Sequence, residues 1–114
     1  MANSFKSETD KEIGTSTATV FTCASSTETT VIGLSVANRV SSQILIDVEL
    51  DASSRTSGAE DKVFLVKDAP IPVGGSLVVV GGDQKLVMEP GDTIKVTSDT
   101  ASSADVVVSH LDIT

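Results

Sequence analysis

The sequence predicts an all-β fold: a single antiparallel β-sandwich of about eight strands with Greek-key or jelly-roll connections. Three observations carry this. Short β-branched runs are separated by Pro72-Val73-Gly74-Gly75, Gly81-Gly82-Asp83 and Glu89-Pro90-Gly91-Asp92, where Gly supplies positive φ and Pro fixes φ and lacks a ladder donor. The run Ile44 to Asp51 alternates strictly between apolar and mostly acidic positions, the pattern of a half-buried antiparallel strand. No segment has helical periodicity of useful length, and no repeat of solenoid period is present.

Residues 1–14 are expected to form a flexible N-terminal arm and residues 15–114 the β-sandwich domain. Met1 to Glu12 is polar and aperiodic, as in a free arm or a loosely attached edge segment. A first strand follows at about Thr15 to Cys23, and Ala24 to Thr29 forms a turn. The second, about Thr29 to Asn38, sets Ile32, Leu34 and Val36 against Gly33, Ser35 and Ala37, whose small side chains permit close packing. In the third strand Ile44, Ile46, Val48 and Leu50 point inward, while Leu45, Asp47, Glu49 and Asp51 point out.

Ala52 to Asp61 has no apolar periodicity and is expected to be an exposed, mobile loop. The strand at about Lys62 to Ala69 should stop at Pro70 and Pro72 or lie at a sheet edge, since neither proline can donate to a ladder. Further strands are expected at about Ser76 to Val80, Lys85 to Met88, Thr93 to Ser98 and Asp105 to Ile113.

The 114 residues suffice for one domain, which buries about two-thirds of its unfolded surface without needing disulfides or metal. Its core must be aliphatic, because Trp and Tyr are absent and only Phe5, Phe21 and Phe64 are aromatic. That composition disfavours a deep aromatic-lined pocket and a base-stacking platform. Eight Lys and Arg against sixteen Asp and Glu give a net charge of −8. Such a surface repels phosphate backbones and anionic lipid, so neither nucleic acid nor membrane is expected as a direct partner. Basic protein surfaces, cations or identical subunits suit it better.

Cys23 is the single cysteine, so no intrachain disulfide can form, in keeping with folding in a reducing cytoplasm. On an alternating strand it reads as a small apolar core residue. The N-terminus has no apolar segment of the secretory kind. The longest apolar run, Leu77 to Gly81, is far short of the ~20 residues that span a bilayer. A soluble chain without a secretion signal is expected.

Candidate chemistry is sparse. Ser109, His110 and Asp112 are close in sequence, but on a strand Ser109 and His110 point to opposite faces, and a triad needs convergent side chains. His110 and Asp112 share a face and can hydrogen-bond, with no nucleophile elbow to serve. Zinc would need a Cys/His set that is missing. Asp47, Glu49 and Asp51 line one strand face, yet carboxylates two apart lie about 6.6–7 Å from one another, too far for a tight shared calcium site. Gly74-Gly75 and Gly81-Gly82 lack the Lys-Ser/Thr and helix N-terminus of a phosphate loop. No catalytic residue, metal or cofactor is therefore expected. Candidate interface residues are Phe5 in the arm, Ser35 and Ala37 on the small face, Ile71 and Val73 before the Gly74-Gly75 turn, and His110 and Ile113 near the C-terminus.

Several stretches carry a family resemblance: Val31-Ile-Gly-Leu-Ser-Val-Ala-Asn, Phe64-Leu-Val-Lys-Asp-Ala-Pro-Ile-Pro-Val-Gly-Gly-Ser-Leu, Val80-Gly-Gly-Asp-Gln-Lys-Leu-Val, Glu89-Pro-Gly-Asp-Thr-Ile-Lys-Val-Thr-Ser and Asp105-Val-Val-Val-Ser-His-Leu-Asp-Ile-Thr. In this order, from about Thr17 onward, the chain resembles small virion structural proteins of tailed bacteriophages, especially phages of cyanobacteria. The resemblance implies a non-enzymatic virion component assembled in the host bacterial cytoplasm and forming a homo-oligomer. Its expected partners are other virion proteins: the major capsid protein for a decoration or cement protein, or neck, tail or baseplate proteins. A fibre-tip module binding carbohydrate or receptor is the contrasting expectation, weakened by the absence of Trp and Tyr to stack on sugar rings.

Overall fold

The computed structural model describes residues 3–55 and 61–114. Nine strands and no helix occur among them: β1 (Asn3–Ile13), β2 (Ala18–Thr22), β3 (Glu28–Asn38), β4 (Ile44–Asp51), β5 (Lys62–Ile71), β6 (Ser76–Val80), β7 (Leu86–Met88), β8 (Thr93–Ser98) and β9 (Ala104–Ile113). They form two antiparallel sheets in a sandwich-like arrangement. One has the order β1-β9-β3-β6 with β7 also paired to β3, and the other β2-β8-β4-β5.

The strands form where alternation and turn chemistry agree. Ile44, Ile46, Val48 and Leu50 of β4 face Ile94 and Val96 of β8 and the apolar side chains of the other sheet in one aliphatic core. Val31, Leu34 and Val36 of β3 and Val106 and Val108 of β9 fill its opposite side. Pro90 and Gly91 make the turn between β7 and β8: Gly91 has φ 90° and the Asp92 N–H donates to Glu89 O at 3.0 Å. That is the type II arrangement, with Pro at the second position and Gly at the third. Gly74 plays the same role between β5 and β6, with φ 76° and a 3.0 Å bond from Gly75 N–H to Pro72 O.

Three expectations are corrected. The N-terminal segment is not a free arm: Asn3–Ile13 is an edge strand that pairs with β9 from Asn3↔Ile113 to Asp10↔Val106, then, after a register shift, at Ile13↔Ala104. Its ladder bonds compensate for a sequence with little apolar surface to bury. Ile32 does not point inward with Leu34 and Val36. A bulge between Val31 and Gly33 inserts one residue against β9, so Val31 and Leu34 are buried while Ile32 is exposed, since an extra residue resets the side-chain parity. Asp51 lies on the outward side of β4 but is itself buried, covered by Lys95. Of the two outcomes expected for the strand after the long loop, it takes the sheet edge and runs on through Pro70 to Ile71. It does so as the edge strand β5, where Pro removes no shared ladder bond.

Of the loop expected at Ala52 to Asp61, residues 56–60 lie outside the described residues. Next to them, Ala52 is buried and Arg55 reaches back to the β7–β8 turn.

Candidate interaction face and buried histidine network

Register decides what the outer face of the β1-β9-β3-β6 sheet displays. Val106 and Val108 face the core, so Val107 points out, and its neighbours across the ladders are Thr9, Ser35 and Val78. Four residues along β9, a second row joins Phe5, Leu111, Thr30 and Val87. Between them runs a row of small residues, Ser7, Ser109 and Gly33. Charged positions lie where the face ends, at Glu28 opposite Ile113 and at Asp105 opposite Ala37; Lys11 lies near Asp105, which is paired with Arg39 at 2.9 Å.

Five of the eight large apolar side chains exposed among the described residues belong to this sheet: Phe5, Ile32, Val78, Val87 and Val107. Phe5 is 76%, Val78 66% and Val87 64% exposed. Uncovered apolar area of this kind, gathered on one face, marks a contact surface. The outer face of the other sheet is built differently. Asp47 pairs with Lys67 at 3.3 Å and Asp51 with Lys95 at 2.9 Å, which makes it a charged, ion-paired surface. Ser53 and then Lys95 hold the Asp51 carboxyl below the usual carboxylate range.

Among the seven candidate interface residues, Phe5, Ser35, Ala37 and Ile113 belong to this sheet, Ser35 and Ala37 toward its Asp105 end and Phe5 and Ile113 toward its Glu28 end. Val73 is exposed in the β5–β6 turn, away from them. Ile71 and His110 are buried and leave the set: both point inward from strands whose neighbours cover them. Val78, Val87 and Val107 were missed. Only the alternation of Val106, Val107 and Val108 hinted at an outward valine, and nothing local shows which strands lie beside it.

Behind this face lies a buried polar network. His110 is 1% exposed and stacks on Phe21 with ring centroids 4.2 Å apart. Its Nδ1 is 2.8 Å from Asp112 Oδ1, and its Nε2 is 2.9 Å from Glu8 Oε2. Thr29 Oγ1 donates to the same Asp112 oxygen at 2.8 Å and accepts from the Cys23 thiol at 3.3 Å. Burial raises the Asp112 carboxyl, but the Thr29 hydroxyl and His110 outweigh it, and the net shift is downward. Burial pushes the Cys23 thiol up, away from the thiolate that nucleophilic chemistry needs. Ser109, on the opposite side of β9, takes no part. Both nitrogens of His110 are engaged by carboxylates, so neither ring edge is free for a substrate. A shallow depression of about 300 Å³ lined by Glu8, Thr19, Val20, Phe21 and Thr22 lies beside this network.

Among the described residues no group of three or more His, Cys, Asp or Glu is placed to hold a metal ion. No helix among them is long and apolar enough to cross a membrane. Neither the protein-family models nor the curated proteins contain a match to this chain.

Proposed function

We propose that this chain is a non-enzymatic structural protein of a bacteriophage virion, a decoration or cement protein that binds the capsid lattice through protein–protein contacts. The observation that carries this reading is the uncharged, apolar outer face of the β1-β9-β3-β6 sheet on a chain of net charge −8. A surface whose central rows carry no charge, on a chain without Trp or Tyr to stack on sugar rings, suits a flat protein contact better than nucleic acid, lipid or carbohydrate. The engagement of both His110 nitrogens inside the fold and the buried Cys23 support a non-enzymatic role.

The strand pairing supports a jelly-roll topology for the sandwich. With β6 and β7 counted as one interrupted strand along β3, the eight strands pair first with eighth, second with seventh, third with sixth and fourth with fifth. That is a long antiparallel ribbon rolled into two sheets, an architecture frequent in viral capsid domains and also in lectins.

Cryo-electron microscopy of the virion tests the role. Copies of this fold distributed over the capsid lattice are expected. A ring at the neck, tail or baseplate would replace decoration by attachment there, and absence from every part of the particle would overturn the virion assignment.

A further inference from the structure

We infer that the outer face of the β1-β9-β3-β6 sheet is covered by a second copy of this chain, packed face to face about a two-fold axis. The inference rests on reading that face as a protein contact surface and makes a second copy its occupant, so that the lattice is met by the remaining surface of the pair. Two chains of charge −8 repel one another, and in a two-fold contact each patch meets its own counterpart. A charged patch would therefore face like charge. The three central rows of this face carry none, so it is the surface on which like-charged copies can meet without that penalty. A basic partner would find no carboxylate there to pair with.

The edges at β5 and β1 are poor alternatives for self-association. On β5, Pro70 and two register shifts interrupt the ladder. β1 carries Lys6, Glu8, Asp10 and Lys11 along its length. Charges, Pro and bulges are the devices that stop strand addition at an edge.

The area is also sufficient. Four strand positions spaced by about 4.8 Å and ten residues of β9 at about 3.4 Å give about 650 Å² per copy for the whole face, the uncharged rows at its centre and the charged ends at Asp105 and Glu28 as its rim. Two such faces bury about 1,300 Å², within the range of specific, stable interfaces. Apolar rows flanking a low row of Ser7, Ser109 and Gly33 give the relief that two packed sheets interlock through.

Sedimentation equilibrium and light scattering on the purified full chain, over a micromolar to sub-millimolar series, test this. A dimer of the 11.7 kDa chain is expected. Phe5→Asp and Val78→Asp should each weaken it at least about tenfold, with circular dichroism and melting temperature showing that the fold is kept. Phe64→Asp, at an exposed site in the other sheet, should leave the dimer intact. A dimer indifferent to Phe5→Asp and Val78→Asp overturns the face-to-face arrangement. A monomer throughout overturns the second copy as occupant. In that case, virions carrying Val78→Asp separate the two ideas. Loss of the protein from the particle would keep the face as a contact for another virion protein, while unchanged incorporation would remove the contact surface as well.

Discussion

Glu8 on β1 and His110 on β9 meet at 2.9 Å, 102 positions apart in sequence. The contact ties the outermost strand of one sheet to a side chain buried between the sheets. It converts a polar N-terminal segment into part of the folded body. His110 also meets Asp112, its Nδ1 lying 2.8 Å from Oδ1, so the ring is held from both sides.

Glu8→Ala should destabilise the protein by about 1–3 kcal/mol, because a buried ring nitrogen loses its hydrogen-bond partner. Glu8→Gln keeps an acceptor oxygen in place and should recover most of that loss. Urea unfolding of both variants reads the difference; equal stability of Glu8→Ala and the parent would mean the contact is not formed in solution.

Deletion of residues 1–10 removes most of β1 and uncovers the β9 edge. A loss of at least about 2 kcal/mol is expected, seen as a fall in melting temperature of about 8 °C or more. Aggregation should accompany it, since an unpaired edge strand is exposed. An unchanged melting temperature would restore the free arm.

Arg55 caps the β7–β8 turn by gripping Asp92, with Nε 3.0 and 3.1 Å from the two carboxylate oxygens. The Asp92 side chain is fully buried and also accepts from the Glu89 N–H at 3.0 Å. Arg55→Ala leaves that carboxylate without its cation and should cost about 3–5 kcal/mol. Arg55→Lys should rescue only part of it, since an ammonium cannot reproduce the two-pronged geometry. Denaturant midpoints of the two variants check this.

Acid should weaken the fold through its aspartates. Asp51 is lowered by Ser53 and then Lys95, and Asp99 by the Leu45 N–H and then the Thr100 hydroxyl. In Asp112, Thr29 and His110 outweigh burial. A carboxylate whose folded pKa lies below its unfolded value contributes stability that is present above the unfolded pKa and lost as pH falls through the folded one. Melting temperature should therefore be level near neutrality and drop below about pH 4. Asp51→Asn should lower the neutral plateau and flatten the acid limb; an acid limb of unchanged slope would show that Asp51 is not the group responsible.

Much of the strand layout is local and was legible in the sequence. Ser76–Val80 and Thr93–Ser98 have the expected bounds, because Gly and Pro turns delimit β-branched runs on both sides. The inward face of β4 was equally plain, since four apolar positions alternate without interruption. The absence of Trp and Tyr likewise required an aliphatic core before any packing was known.

Tertiary structure alone decided the rest, because strand pairing joins residues that no sequence window contains. The N-terminal strand has no apolar period to announce it, and β9 supplies its ladder. The bulge at Ile32 reverses the parity that local alternation implies. His110 looks like a surface residue in a terminal strand until Glu8, Phe21 and Asp112 enclose it. The uncharged face exists only through register: slipping any of its strands by one residue would turn the inward row outward. The sequence determined which segments after β1 are strands and what the core is made of. The pairing of distant strands determined which side chains share a surface, and with it where this protein can be held by another.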